Sequence, residues 1–197
     1  FWSSVNENIF TPYKGWSYLK FFSPDGSYEQ DISPLSYQFV SSIEFYQSIY
    51  KELEQNPNIH FRYERVLALQ DQKDGATVLT DSGQYKGKWV FNSINFPIQK
   101  HNPRNMYLAQ HFYGWFLEME EETFDSKEMT LMDFRIEQGN EACFVYVLPF
   151  SKKKALIEFT VFSQNIWEKE EYKTALKAYM DEKFPGKSFS IIQEEMG

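Results

Sequence analysis

Four segments between residues 110 and 163 constrain the fold more than any other feature of the sequence. Each is rich in aromatic and β-branched residues, which favour extended strands. The predicted strands cover residues 110–120, 129–138, 143–150 and 155–163. Because the connections at 139–141 and 151–154 are short, we expect neighbouring strands to pair in antiparallel fashion. The pattern predicts a sheet of consecutive antiparallel strands.

Glu158 lies in the last of these strands, within the apolar sequence LIEFT. Because side chains alternate along a strand, Glu158 is predicted to share a face with Leu156, Thr160 and Phe162. Desolvation between apolar neighbours raises the pKa of a carboxyl, and a protonated glutamic acid can donate a proton to a carbon–carbon double bond. The residues allow a second interpretation, in which Glu158 forms an ion pair with a cation on the next strand, such as Arg135.

Asp133 is the second carboxylate in a strand-like sequence, LMDFR. Strand alternation predicts that it shares a face with Leu131, Arg135 and Glu137. Burying an unpaired charge is costly, and Arg135 is a natural partner two residues away. A salt bridge on the strand face is therefore one interpretation of Asp133, and a place in a functional site is the other.

The rest of the chain predicts two helices and several shorter strands. The first helix begins at Ser41 or Ser42, ends before the sequence NPN at 56–58, and has one apolar face. That face consists of Ile43, Tyr46, Ile49, Tyr50 and Leu53. The second helix covers 168–184 and buries Tyr172, Leu176, Tyr179 and Met180. Further strands are predicted at 16–22, 28–32, 59–69, 76–80, 85–94 and 188–193, with a loop near 97–104.

The composition excludes several classes of function. The 197-residue chain has a formal net charge of -8, so it lacks the positive charge that nucleic-acid binding requires. No run of 18 or more apolar residues is present, and a single cysteine, Cys143, excludes an internal disulfide. His60, His101 and His111 lack the spacing of a metal-binding pair, so we expect no metal site. We expect a cytoplasmic protein.

Four motifs, GWFLE, TLMDFRIEQ, FVYVLPFS and ALIEFTVFS, resemble the middle portion of the flavin-dependent lycopene cyclases, the lycopene beta-cyclase-like family. The resemblance implies an α+β fold, with an antiparallel-sheet substrate domain and part of a two-domain, hydroxylase-like FAD-binding fold. Residues 1–95 would supply a strand insert, a helix and a β-meander of the FAD domain, and residues 96–197 the substrate domain with its helix. No GxGxxG motif occurs, so we expect an internal fragment that lacks the N-terminal phosphate-binding motif and the C-terminal segment.

The resemblance also implies an activity, the cyclisation of the linear ψ end of lycopene, or a related carotene, to a β-ionone ring. Reduced FAD would be the cofactor and NAD(P)H its reductant, with no net redox change. The fragment alone would be inactive and would bind FAD weakly or not at all. Other flavin enzymes of the same architecture, such as a monooxygenase or an isoprenoid reductase, are alternatives. A non-catalytic β domain that binds an apolar ligand is a further one.

Three residues match functional positions of the family. Glu158 corresponds to the first glutamate of the FLEET-type or LIEDT-type motif tied to cyclisation, and Phe159 stands at the second acidic position. Asp133 corresponds to the acidic residue of a pair beside the substrate cavity, and is a second candidate catalytic residue. Val66 lies in NIHFRYERV, which resembles the strand after a helix in FAD proteins with the two-domain, hydroxylase-like fold, where a backbone amide and carbonyl lie near the adenine. It is the candidate cofactor-binding residue, and a generic sheet edge is the alternative.

The implied partners are a carotene and a membrane surface, because a C40 hydrocarbon is confined to the bilayer. Trp115, Phe116 and Trp167 are candidates for a membrane-facing rim, and packing in the core is the alternative for each of them. The helix at 42–54 would normally lean on a nucleotide-binding sheet. We therefore expect its apolar face either to be covered by a partner, such as a second copy of the chain, or to form an exposed patch.

Overall fold

A computed structural model of the protein describes residues 13–94, 104 and 106–197, together with the backbone of residues 2–4. The chain forms two compact units, Phe1–Phe45 with Met106–Gly197, and Tyr46–Asn105. The boundary predicted between residues 95 and 96 falls outside the described residues and stays a prediction.

The elements of the first unit are β1 (Trp2–Ser4), β2 (Lys14–Trp16), β3 (Tyr18–Ser23), β4 (Gly26–Asp31) and β5 (Leu35–Phe39). The helix α1 (Ser42–Leu53) crosses into the second unit, which also contains β6 (Val66–Gln72), β7 (Gly75–Thr80) and β8 (Gln84–Gly87). The first unit then resumes with β9 (Ala109–Met119), β10 (Glu128–Asp133), β11 (Ala142–Pro149), β12 (Lys154–Ser163), α2 (Lys169–Lys183) and β13 (Phe189–Met196).

A seven-stranded sheet dominates the first unit, in the order β13-β9-β12-β11-β10-β3-β4. All of its neighbours are antiparallel except β10 and β3, which are parallel. The predicted α+β class is confirmed, and so is the antiparallel pairing of β10 with β11 and of β11 with β12. The prediction that consecutive strands are neighbours is wrong for β9 and β10. The segment after β9 is held by the turn between β11 and β12, where the backbone N–H groups of Thr123 and Phe124 donate to the carbonyl of Lys152.

The helix α2 covers one face of this sheet. Its apolar side packs on Ile157, Phe159 and Val161 of β12 and on alternate residues of β9 and β11. The buried residues of α2 are Tyr172, Leu176, Tyr179 and Met180, as the helical spacing predicts. This layer is the larger of the two cores of the first unit.

The opposite face of the sheet holds a second, aromatic cluster. Trp16 of β2 and the partly buried Tyr37 and Phe39 of β5 pack against residues of the large sheet such as Leu156. The Trp16 indole N–H donates a 3.0 Å hydrogen bond to the carbonyl of Pro149. Strands β1, β5 and β2 form a separate three-stranded sheet, and β5 is absent from the sequence-based prediction.

A β-bulge in β10 changes which face Asp133 occupies. Between Thr130 and Asp133 the register shifts, so that Thr130 lies opposite Val147 and Asp133 opposite Val145. Both valines belong to the core under α2, whereas Leu131 packs in the aromatic cluster on the other face. The prediction that Leu131 and Asp133 share a face is therefore wrong, because a bulge inserts one extra residue into the alternation.

The second unit contains the predicted three-stranded meander, in which β6 and β8 are shorter than expected. Glu64 ties the loop before β6 to this sheet, since it accepts hydrogen bonds of 2.6 Å from both Thr80 and Tyr85. The helix α1 forms where predicted but buries none of its residues, and Ile43 and Tyr46 are 68% and 58% exposed. Tyr50 of the apolar face is exposed as well, whereas Ile49 and Leu53 are half-buried.

None of the helices in the described part of the chain combines the length and the apolar character needed to cross a membrane.

Candidate functional site

Glu158 lies in a row of four residues that crosses four strands of the large sheet. On β12 it is opposite Tyr146 of β11 on one side and Gly114 of β9 on the other. Gly114 is in turn opposite Glu195 of β13. The alternation predicted for β12 is confirmed, because Ile157 and its neighbours face α2 while Glu158 faces the aromatic cluster.

Gly114 allows the two glutamates of this row to meet. A Cβ atom at this position would lie 2.9 Å from Leu156 Cδ1 and 3.3 Å from Glu195 Oε1, so the side chains of its neighbours occupy the space above its backbone. The carboxyl groups of Glu158 and Glu195 approach each other there closely enough for each to shift the pKa of the other. The missing side chain of Gly114 therefore creates a pair of carboxyl groups.

Burial raises the pKa of the Glu158 carboxyl to about 7. The Thr160 hydroxyl donates a 2.9 Å hydrogen bond to Glu158 Oε1 and lowers this pKa, while the charge and the hydrogen bond of Glu195 raise it. Burial also raises the pKa of Glu195. Because two neighbouring carboxylates repel each other, ionisation of both carboxyl groups is unfavourable, and the pair retains a proton near neutral pH.

Aromatic residues surround the pair. Burial raises the pKa of Tyr146 to about 12, with further contributions from Tyr37 and from the charge of Glu158. Burial also raises the pKa of Tyr37, and the Glu158 charge adds to this effect. Phe116, two residues after Gly114, lies on the same side of β9 and packs in the same cluster. These described neighbours of the pair are aromatic and uncharged.

Asp133 occupies the opposite face, with a different set of partners. It is 1% exposed, and its carboxylate accepts bonds of 2.9 and 2.7 Å from the Arg135 guanidinium and 3.0 Å from the Tyr179 hydroxyl. Burial alone would raise the pKa of Asp133, but the bonds from Arg135 and Tyr179 outweigh it and hold the pKa below its usual range. The ion pair predicted with Arg135 is confirmed.

The structure does not bring the two predicted catalytic residues together. Asp133 lines a groove of about 380 Å³ beside α2, with Phe22 and Lys183 among its other lining residues. Glu158 faces the other side of the sheet. The alternative in which Arg135 neutralises Glu158 is wrong, because Arg135 is bound to Asp133.

A family model described as lycopene cyclase protein matches residues 12–197. The chain belongs to the lycopene cyclase family. The resemblance carried by the four motifs is confirmed by this match. A search of curated protein sequences finds no significant match.

Solved structures share the fold of this cyclase-family chain at low sequence identity. The halogenase PltM in complex with phloroglucinol and FAD superposes with a TM-score of 0.58 and 12% identity, over 93% of this chain and 43% of the halogenase. A geranylgeranyl bacteriochlorophyll reductase-like protein from Thermoplasma acidophilum gives a TM-score of 0.51 and 10% identity, over 94% of this chain and 50% of that protein. The chain spans about half the length of these proteins or less, and the likeness shows the fold alone.

Val66, the predicted FAD contact, is the first residue of β6 in the second unit and lies opposite Thr80 of β7. Strand β6 is an edge strand of its sheet, so one side of its backbone is not paired with another described strand. An edge backbone of this kind can donate to and accept from an adenine ring. No GxGxxG sequence occurs in the given residues of this cyclase-family chain, and the β6 edge is the candidate FAD contact among the described residues.

His111 and two of the three candidate rim residues pack inside the protein. His111 is buried, and its ring bonds to Tyr172 and, at 2.8 Å, to Ser163. His101 lies outside the described residues, and the described part of the cyclase-family chain contains no cluster of three or more potential metal ligands. Core packing, the alternative to a membrane-facing rim, holds for Trp115, which is 5% exposed in the core under α2, and for Trp167, which packs against the same core.

Glu195 is the residue that sequence reasoning missed. The predicted last strand stopped at residue 193, whereas β13 continues to Met196 and pairs with β9. The available signal was Gly114 in the middle of a predicted strand. An isolated glycine inside a strand often marks the close approach of another group.

Proposed function

We propose that the protein is part of a carotenoid cyclase that converts the linear ψ end of lycopene to a β-ionone ring by acid–base chemistry. The observation that supports this proposal is the carboxyl pair of Glu158 and Glu195, which keeps a transferable proton near neutral pH in apolar surroundings. Membership in the lycopene cyclase family supports the substrate class.

In the proposed reaction, Glu158 donates its proton to the terminal double bond of the carotene and becomes a carboxylate. The resulting carbocation is attacked by a neighbouring double bond of the same molecule, which closes the ring and moves the charge. Loss of a ring proton to a base then restores neutrality. One proton enters and one leaves, so the product is an isomer and no electrons are exchanged.

The residues around Glu158 suit this chemistry. Aromatic faces attract cations, and Tyr37, Tyr146 and Phe116 belong to the cluster on the Glu158 side of the sheet. Their apolar bulk also limits water, which would otherwise capture the carbocation. Phe159 stands where the family has a second acidic residue, but it faces the core under α2 and is 3% exposed. Glu195 from β13 supplies a second carboxyl on the correct face.

When bound, reduced FAD would supply negative charge that stabilises the cation, and NAD(P)H would keep it reduced. The candidate contact among the described residues is the backbone edge at Val66. Asp133 is proposed as a positioning residue, since its buried ion pair fixes the end of β10 beside the groove.

The carotene would be reached at a membrane surface on the cytoplasmic side, with the protein bound peripherally. Exposed aromatic side chains of the second unit can insert at such an interface, and Tyr63, Trp89 and Phe91 are 88%, 78% and 99% exposed. Co-sedimentation of the complete protein with liposomes tests this part of the proposal, and a protein that stays in the supernatant at low salt would contradict it.

The activity is tested by expressing the complete protein in a lycopene-accumulating host and separating the pigments by chromatography. Glu158→Gln keeps the size of the side chain but removes its transferable proton, so the yield of cyclised carotene should fall at least ~10²-fold. The matched control is Glu118→Gln, because Glu118 is a surface residue of β9 that pairs with Lys154 at 3.4 Å. Near-normal cyclisation in Glu158→Gln would rule out the proposed role, and an oxygenated or reduced product would favour the other flavin enzymes.

A further inference from the structure

Strand β13 carries two adjacent glutamates with different surroundings. Glu194 lies opposite Trp115, on the side of α2, and forms a 2.8 Å ion pair with Lys169. Glu195, one residue on, lies opposite Gly114 and faces the other side of the sheet, where Glu158 lies. The same strand therefore supplies a carboxylate bound to a cation and a carboxyl that faces another carboxyl.

The contact between Glu195 and Glu158 depends on the backbone of β9. These two residues lie on strands that are not neighbours, because β9 runs between β13 and β12. A side chain at the intervening position would fill the space between them, but Gly114 has none. Glu195 Cγ comes within 3.2 Å of where that Cβ would be, so Glu195 leans across β9 toward Glu158.

We propose that Glu195 is a positioning residue for the proposed cyclisation. Its carboxyl group shares the proton of Glu158 across Gly114 and keeps Glu158 in its acid form. This inference rests on the proposed function. Glu195 itself does not donate to the substrate, but its carboxylate makes ionisation of Glu158 unfavourable and its oxygen accepts the Glu158 proton. The proton is thus held until the substrate takes it.

The other groups that face Glu158 do not replace this effect. Thr160 on the same strand donates a hydrogen bond, which favours the ionised form of Glu158. Tyr146 from β11 and Tyr37 from β5 are neutral at physiological pH because the ordinary pKa of tyrosine is about 10, and burial raises the pKa of both further. In the described part of the chain, the ion pairs of the nearest strands involve Glu118 and Glu194, and none involves Glu158 or Glu195.

The test is the pH dependence of cyclisation by the complete protein, measured for Glu195→Gln with Glu194→Gln as matched control. The acid form of Glu158 is required, so wild-type activity should decline as the pH rises through about 7. In Glu195→Gln the negative charge is absent and the amide can donate to Glu158, so the midpoint of the decline in activity should lie about one pH unit lower than in the wild type. Activity should then fall about tenfold at pH 8 and remain close to wild type at about pH 5.5. Glu195→Asp keeps a carboxyl and should give an intermediate profile.

The outcomes separate this inference from the proposed function. If Glu158→Gln abolishes cyclisation while the profile of Glu195→Gln matches wild type, the proton-sharing role of Glu195 is wrong and the function stands. An equal shift in Glu194→Gln would also overturn the inference, because a general loss of charge on β13 would then explain it. If Glu158→Gln remains active, the proposed function itself fails.

Discussion

Asp133 and Glu158 are carboxylates of the same sheet, on opposite faces, and their partners give them opposite protonation states. Asp133 binds a guanidinium and a tyrosine hydroxyl, and its pKa is lowered. Glu158 accepts a hydrogen bond from a threonine hydroxyl and lies beside a second carboxyl, and burial raises its pKa to about 7. Burial favours the neutral acid in both places, so the charge of the nearest partner decides which form survives.

This difference separates a structural carboxylate from one suited to proton transfer. An anion held by a cation stabilises the fold and has no proton to donate at neutral pH. A carboxyl held by another carboxyl costs stability at high pH and retains a proton that can be transferred. The family resemblance nominates both residues, and only Glu158 has the surroundings of an acid.

Replacing Asp133 by alanine is the strongest way to test the structural half of this comparison. The Tyr179 hydroxyl would lose its acceptor inside the core and Arg135 would lose its anion. We expect the free energy of unfolding to fall by about 3 kcal/mol in urea titrations at pH 7. Asp181→Ala is the matched control, since Asp181 pairs with Lys177 on the surface and its loss should change stability by under about 0.5 kcal/mol. Equal effects of the two variants would contradict the structural role of Asp133.

The dependence of stability on pH tests both halves together. Glu158 has a raised pKa in the folded protein, so the folded state binds more protons than the unfolded state between about pH 4.5 and 7. Its contribution to stability is present below this window and is lost as the pH rises through it. Asp133 has a lowered pKa, so its contribution is present at neutral pH and is lost as the pH falls below about 4.

Between about pH 5 and 8, the free energy of unfolding of the wild-type protein, measured by denaturant titration, should therefore fall by roughly 2 kcal/mol more than that of Glu158→Gln. The control is Asp133→Asn, which should be less stable than wild type throughout this range but lose stability with rising pH to the same extent. If the free energy of unfolding of Glu158→Gln depends on pH as that of the wild type does, Glu158 titrates normally.

Gly114→Ala should have the smallest effect on stability and still alter the carboxyl pair. The new Cβ would lie within 3.3 Å of Leu156 Cδ1 and of the Glu195 side chain, both of which can move, so we expect a cost of about 1 kcal/mol. Gly15→Ala is the matched control, because its nearest side-chain atoms are 3.6 Å or more from a Cβ and its cost should be smaller. In Gly114→Ala the decline of cyclisation with pH should move toward acid. A stable Gly114→Ala protein with the wild-type pH profile would argue against the proposed contact.

Local patterns in the sequence predicted much of this architecture. The alternation around Glu158 identified the face that it occupies, and the spacing of Tyr172, Leu176, Tyr179 and Met180 identified the buried side of α2. Both depend on residues close in sequence. The ion pair of Asp133 with Arg135 could also be predicted, because the partners are two residues apart.

Features that depend on distant parts of the chain could not be predicted in this way. Strand β5 is defined by pairing with β1 and β2, and β13 by pairing with β9, which lies about seventy residues earlier in the sequence. The bulge in β10 is a mismatch between partners and leaves no mark in the alternation of a single strand. Glu195 was missed for the same reason, since its role depends on meeting Glu158 across Gly114.

Infrared titration of the protonated carboxyl groups tests the central claim most directly. The account predicts a carbonyl stretch from a protonated carboxyl that persists at neutral pH and disappears with a midpoint near 7. This band should be lost at neutral pH in Glu158→Gln and remain in Asp133→Asn. A spectrum in which no carboxyl band persists above about pH 5.5, or in which the band is lost in Asp133→Asn and kept in Glu158→Gln, would contradict the assignment of the proton to the Glu158 face of the sheet.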